Sequence, residues 1–346
     1  MKKIGILTGG GDAPGLNAVI RGATVKGIKE GYEVIGFRLG WAGTLNKDYQ
    51  PLTLSDVEDI HRQGGTILGS SRTNPAKLED GLQKVKNNLE ELDIYALIAS
   101  GGEDTLGVAN KLYGLGVRVV GVPKTIDNDL SATDYTFGFD TAINRVMEAL
   151  DRLHTTAKSH QRVMVVEIMG RHSGWMALYG GIAGGAHMIL LPEEEFDYQD
   201  VCDLIKRRYD EGNKYAIIAV AEGSVCPQLE KEGQEAPRDD FGHVVFTKRK
   251  RGVAEILADK IEEVTGIETR QVVLGHLQRG GDPSAFDRVL ATRLGVKAVE
   301  MIRDGEFGRM ASIRGDQVVS VSLEEAVGRL KTVDEGRYEL AKLFFG

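Results

Sequence analysis

Three short clusters of polar residues carry side-chain types suited to phosphate chemistry. The first, TGGGDAPGLNAVIR, opens with Gly9, Gly10 and Gly11. Glycines let backbone N–H groups converge on phosphate oxygens, and a helix starting just beyond adds its positive N-terminal end. The pattern is neither GxGxxG nor the P-loop with its lysine and Ser/Thr, and a tight strand-to-helix turn is the alternative. The second cluster, SGGEDT, sets Glu103 and Asp104 directly after two glycines. Adjacent carboxylates repel one another unless a cation is near, and magnesium suits one of them; two solvated loop acids are the alternative. The third, PKTIDNDL, offers Lys124 as a point charge for phosphate, Thr125 as a hydroxyl, and Asp127 and Asp129 as carboxylates. A carboxylate beside a sugar hydroxyl can take its proton as that oxygen attacks phosphorus, although turns and caps use the same residue types.

Two further segments share a layout. RVMVVEIMGRHSGW places Arg162 and Arg171 at opposite ends of an apolar strand-like run, and RQVVLGHLQRGG does the same with Arg270, His276 and Arg279. The planar fork of arginine matches phosphate oxygens. His276, between arginines in a loop, fits sugar-phosphate binding better than a structural role. Arg72 in SSRTNP is a weaker phosphate candidate.

The elements that must position these groups alternate in type. Ile4–Leu7, Glu33–Phe37, Ile94–Ala99 and Val117–Val122 read as strands, and Asn17–Lys29 has helical spacing. Beyond FGFDTA come a predicted helix, Thr141–Leu153, two apolar runs, Val163–Ile168 and Tyr215–Ala221, and renewed helical patterning over Ala254–Glu263. Alternating strands and helices predict parallel α/β sheets with right-handed crossovers. Ligands of such sheets bind beyond the carboxyl ends of the strands, which is where the three polar clusters fall. Between Pro227 and Arg251 the chain turns charged and loses apolar spacing, so a surface insertion is expected at about 227–251.

Composition bounds the function. At 346 residues the chain is long enough for two domains or one large one. Cys202 and Cys226 cannot build a disulfide framework or a four-thiolate metal site. A formal charge of −8 argues against a broad footprint for nucleic acid or an anionic membrane, and the run Lys248–Arg251 reads as a solvated face. The 44 glycines exceed the roughly 7% of average usage and gather beside apolar runs, which points to loops that approach a ligand closely. The apolar run of MKKIGILTGGGD is too short for a signal peptide, and no stretch approaches the roughly 18 apolar residues of a membrane span. A soluble, cytoplasmic protein is expected.

Taken in order, GGGDAPGLNAVIR, GGED, PKTIDNDL, FGFDTA, MGRHSGW, AEG and LGHLQRGG resemble the phosphofructokinase family nearly end to end. The resemblance implies an α/β fold of two similar domains with mainly parallel sheets and the active site in the cleft between them. It implies a phosphoryl-donor domain at 1–139 plus about 278–328, and a fructose 6-phosphate domain at 140–277 plus about 329–346. The implied reaction is Mg2+-dependent phosphorylation of the 1-hydroxyl of fructose 6-phosphate, a step of glycolysis and gluconeogenesis. Carried over by motif, Asp127 is the base, Thr125 and Arg171 hold the transferring phosphoryl group with Lys124, and Asp129 supports the site. Glu103 takes the place of the magnesium ligand, an aspartate in many relatives. Gly10, Gly11, Arg72, Asp104 and Lys124 would meet the donor. Met169, Gly170, Glu222, His276 and Arg279 would meet the sugar phosphate. Arg162 and Arg270 resemble a pair given to the neighbouring subunit's site in a homodimer or homotetramer.

Asp104 stands where ATP-using bacterial relatives usually carry glycine, and its carboxylate would repel an α-phosphate. With Lys124 it resembles the pyrophosphate-dependent branch. Arg21 remains on the first helix, but Val25 and His154 do not continue the arginine pattern of effector-controlled relatives, so weak or absent allosteric control is expected. The rivals are the same kinase using ATP, a lipid or NAD kinase sharing the Gly-Gly-acid-x-Thr loop, and a sugar-phosphate-binding regulator that has lost catalysis. The second lacks a PKTIDND counterpart, and the third should have lost Asp127, Thr125 or Arg171.

Overall fold

Ile4, Ile6 and Leu7 are wholly buried, as are Leu97, Ile98 and Ala99. Such unbroken apolar runs belong to strands covered on both faces, the condition of a parallel sheet between helical layers. A computed structural model describes residues 1–230 and 251–346 of the chain. These residues divide into two units: Met1–Ile126, Leu130–Thr141 and Arg279–Leu330 form the first, and Asp127–Asp129, Ala142–Gln278 and Lys331–Gly346 the second.

The first unit holds an eight-stranded sheet. Its strands are β1 (Lys3–Thr8), β2 (Glu33–Phe37), β3 (Tyr49–Pro51), β4 (Ile94–Gly101), β5 (Val119–Thr125), β6 (Phe137–Gly138), β11 (Arg309–Arg314) and β12 (Gln317–Ser322), numbered along the chain. The order is β12-β11-β5-β4-β1-β2-β3, with β6 beside β5. The central pairings are parallel; β3 and β12 join antiparallel at the two edges. Successive strands run outward from β1 in both directions, so the connections after β1 and β4 lead to opposite sides of the sheet, an arrangement whose carboxyl edge is where ligands of such sheets bind. Helices Leu16–Lys29 and Ala285–Asp304 contribute to the core on one face. Helices Gly81–Glu91 and Glu103–Gly114 contribute to that on the other.

The second unit is built on four parallel strands, β7 (Val163–Ile168), β8 (Met188–Leu190), β9 (Ala216–Ala221) and β10 (Thr269–Val273), in the order β10-β7-β9-β8. Helices Tyr198–Asp210 and Val253–Thr265 pack on one face, with Cys202 and Cys226 buried as free thiols in that core.

The α/β architecture with mainly parallel sheets agrees with the sequence pattern, and the elements differ from it at two informative places. The fourth strand does not stop at Val122 but runs through Lys124 and Thr125, because β6 pairs with those two residues. The helix expected over Thr141–Leu153 extends from Phe139 to His160. The charged segment at 227–251 lies outside the described residues apart from the short helix Pro227–Glu230 and Arg251. Among the described residues no helix is long and apolar enough to cross a membrane.

Candidate active site

In the first unit the three clusters start side by side. Thr8 pairs with Ser100 and Gly101 with Pro123, so the loops after β1, β4 and β5 leave adjacent strands. The Gly9 N–H donates to the Ser100 carbonyl at 2.9 Å and the Gly10 N–H to the Ser71 carbonyl at 3.0 Å. Gly10 has φ 80°, a left-handed conformation that glycine adopts without strain. The loop is braced from outside by Ser70, whose hydroxyl donates to the Gly10 carbonyl at 2.5 Å. Lys124 is only 3% exposed, and its ammonium donates to the Gly11 carbonyl. A methyl group built on Gly10 would lie 3.5 Å from that ammonium. The carbonyl of the next residue, Thr125, accepts from the Thr136 hydroxyl at 2.7 Å.

Gly102 caps the helix Glu103–Gly114 without a side-chain hydrogen bond, and Glu103 and Asp104 occupy its first turn with exposed side chains. Acidic groups there interact favourably with the helix dipole, so the position stabilises them even without a metal. Among the described residues no group of three or more His, Cys, Asp or Glu side chains could enclose a metal ion. One or two carboxylates beside a phosphate site still suit magnesium, which keeps water and substrate phosphate as most of its ligands. Arg72 is exposed one residue after Ser71, on the segment that braces Gly10.

Arg279 ends the short helix Gly275–Arg279 that also carries His276, and it is the first residue of this stretch to belong to the first unit. Its Nη1 donates to the Asp12 carbonyl at 3.1 Å, and a methyl on Gly11 would approach that nitrogen to 2.9 Å. The guanidinium therefore lies against the glycine loop.

The second unit gathers its candidates at the carboxyl ends of β7, β9 and β10. The Glu222 N–H donates to the Ile168 carbonyl at 2.8 Å, and the Gly223 N–H to the Gly170 carbonyl at 3.1 Å. These bonds bring the MGRHSG and AEG loops together, and Arg171 Nε lies 3.5 Å from Glu222 Oε1. Gly170 has φ 144°, and a Cβ there would come 2.6 Å from the Ser173 carbonyl, so this crossing requires glycine. The Met169 N–H donates to the buried Gln278 at 3.3 Å, and Gln278 donates to the Gly275 carbonyl at 3.1 Å, which links the loop to the turn bearing His276. Asp127 and Asp129 also belong to this unit, with Ser173 donating to the Asp127 carbonyl at 3.3 Å.

Arg162 and Arg270 are not brought to these residues. They sit by the amino ends of β7 and β10, where both bond Glu268, at 3.1 and 2.7 Å. At about 3.3 Å per residue, the length of β7 separates Arg162 from Met169 by roughly 20 Å.

Several supporting residues escaped the sequence reading. Asp287 accepts from the Gly138 N–H at 2.9 Å and from the Thr141 N–H and hydroxyl at 2.8 and 2.5 Å, which anchors β6 and thereby the end of β5. Burial pushes its carboxyl up to about 6 although these three donors pull the other way. The signal that could have found it is S-x-x-D: the Ser284 hydroxyl accepts from the Asp287 N–H at 3.2 Å as the N-cap of Ala285–Asp304. Glu193, raised by burial, accepts from the N–H groups of Gly174 and Val333, a pairing with no local signature.

The phosphofructokinase family profile matches residues 3–302. The pyrophosphate--fructose 6-phosphate 1-phosphotransferase of Amycolatopsis methanolica is 57% identical, covering 99% of this chain and 100% of the relative. The ATP-dependent 6-phosphofructokinase 3 of Streptomyces coelicolor is 50% identical over 98% of this chain and 99% of its own. Among solved structures, the phosphofructokinase of Pichia pastoris in the T-state superposes with a TM-score of 0.83 at 32% identity, covering 99% of this chain and 36% of the yeast chain. The chain thus spans about a third of that larger protein.

Proposed function

The chain belongs to the phosphofructokinase family, and we propose that it transfers a phosphoryl group reversibly from pyrophosphate to the 1-hydroxyl of fructose 6-phosphate. The observation that carries this reading is the buried Lys124 ammonium on the glycine loop, beside the helix whose first turn holds Asp104. Pyrophosphate brings no adenosine to supply binding energy, so its site must rely on charged and polar donors, and the buried Lys124 is such a cation.

Within this reading the first unit takes the donor and the second the sugar phosphate. Asp127 accepts the proton of the 1-hydroxyl as that oxygen attacks the terminal phosphorus. The bridging P–O bond breaks, and orthophosphate leaves. Thr125 and Arg171 hold the phosphoryl group in flight, with Lys124 countering the donor's charge. Glu103 would hold magnesium, which would supply positive charge against the negative charge developing on the phosphate oxygens. Asp104 excludes a nucleotide by repelling an α-phosphate. Met169, Glu222 and His276 orient the sugar phosphate. Arg279, lying on the glycine loop, can serve sugar phosphate or donor. Arg162 and Arg270 complete a neighbouring subunit's site in a homodimer or homotetramer; their distance from Arg171 along β7 supports that role.

Use of ATP is the second reading, favoured by the 50% identity to an ATP-dependent relative. The test supplies protein, fructose 6-phosphate and magnesium with pyrophosphate or ATP, and follows fructose 1,6-bisphosphate. Turnover with pyrophosphate alone is expected. Turnover with ATP alone would overturn the argument from Asp104 and Lys124, and none with either would favour a regulator.

A further inference from the structure

Asp127, Asn128 and Asp129 follow a strand of the first unit but belong by their contacts to the second. A segment from near the C-terminus helps hold them there. The Lys331 N–H donates to the Asp129 carbonyl at 2.8 Å, and its ammonium donates to Asn128 Oδ1 at 3.1 Å. The Lys331 carbonyl accepts from the Trp175 indole N–H at 2.9 Å, and the ammonium lies 5.5 Å from the centre of that ring. Two residues on, the Val333 N–H donates to Glu193 at 2.9 Å, the carboxylate that also accepts from the Gly174 N–H. Residues 331–333 therefore strap the loop of Arg171 to the stretch carrying Asp127.

Asn128 is 3% exposed and has φ 51°, a left-handed conformation that asparagine adopts more readily than most residues and that its surroundings help to hold. Lys331 supplies such a restraint at two neighbouring points, the side chain of Asn128 and the carbonyl of Asp129. We propose that Lys331 is a positioning residue for phosphoryl transfer: it fixes the Asp127–Asp129 stretch relative to Arg171 without touching either substrate. The proposal rests on the assignment of Asp127 as the base. Geometry of this kind acts on the chemical step, because small displacements of a reacting group lose rate steeply.

Lys331→Met keeps both backbone bonds and removes only the ammonium. With fructose 6-phosphate and pyrophosphate, kcat is expected to fall roughly tenfold to a hundredfold. KM for each substrate should stay within about twofold. Lys331→Arg, which can still reach the Asn128 amide oxygen and stack on Trp175, should recover part of the loss. Asn128→Ser replaces the amide oxygen by a hydroxyl on a shorter arm, out of reach of the ammonium, and should show the same split, with the double variant falling no further than the larger single one. Hydrogen exchange at amides 127–129 should quicken in Lys331→Met while that of β7 and β9 is unchanged. Unchanged kcat, equal losses in kcat and substrate affinity, or additive effects of the two substitutions would overturn the proposal. If Lys331→Met does not fold, the Asn128→Ser pattern decides. If the unaltered chain turns over neither donor, the functional reading fails. Exchange at 127–129 then judges the strap by itself, and unchanged rates would remove it.

Discussion

The first unit sets a buried cation on a glycine loop, whereas the second presents side chains at the rim of a smaller sheet. Lys124 and Thr125 are 3% and 8% exposed, locked by β6 and by the carbonyl of Gly11. The Arg171 side chain is 43% exposed and leans on Glu222. The difference teaches where each half is vulnerable. A preformed backbone cradle fails when volume or charge is added to it, and a side-chain site fails when a charge or a donor geometry is removed.

The sharpest break concerns the stretch that passes from one unit to the other. Asp127→Ser is expected to lower kcat by about 10²–10⁴ while sugar-phosphate binding persists, since general-base groups contribute on that scale. Steady-state kinetics with calorimetric titration of fructose 6-phosphate checks this, and retained turnover would remove Asp127 as the base. In the second unit, Arg171→Lys keeps the charge and loses the fork, so kcat should fall roughly tenfold to a hundredfold with little change in pyrophosphate KM. A loss confined to pyrophosphate KM would place Arg171 with the donor instead.

In the first unit, Asp104→Gly removes a charge from the helix's first turn and opens space beside it. ATP turnover should rise about tenfold or more, with pyrophosphate turnover retained. No gain with ATP would mean that bulk elsewhere excludes the nucleotide.

The smallest expected effect is on stability, and it has opposite signs in the two units. Burial holds His187, in the second unit, down to about 4, with the charge of Arg208 adding to the effect. Its neutral Nδ1 accepts from the Ile217 N–H at 2.8 Å. Unfolded histidine titrates near 6.5, so between about 6.5 and 4 the unfolded chain binds the extra proton and acidification destabilises the second unit. Asp287 behaves inversely. With its folded value near 6 and its unfolded value near 3.8, the folded chain binds the extra proton, and acidification through that window stabilises the first unit. Calorimetric melting between pH 4 and 7 should show a flatter dependence in His187→Gln for the second unit and in Asp287→Asn for the first. Equal slopes in both variants and the unaltered chain would refute these assignments.

Much of this was legible in the sequence. Strands β2 and β7 have the limits their apolar runs suggested, because buried strands need uninterrupted apolar residues between polar loops. The glycine clusters and the acids after β4 suggested phosphate chemistry from residue type alone, with a tight turn and solvated loop acids as the alternatives. Elements set by partners were harder to read. The extension of β5 through Lys124 and Thr125 depends on β6, a two-residue strand whose position is set by Asp287 almost 150 residues later.

The sequence by itself determined which chemical groups the protein has, the α/β class, and the order of the candidate loops along the chain, since these follow from residue types and from periodicities spanning a few residues. Tertiary structure decided which of those groups stand together. It placed Arg279 on the glycine loop, held Arg162 and Arg270 apart from Arg171, and drew Lys331 and Glu193 onto the loops that carry Asp127 and Arg171. Such pairings join residues from 19 to 267 positions apart, and hydrogen bonds between them leave no period in the chain. They exist only where packing of the sheets and their helices brings the two ends within about 3 Å of each other.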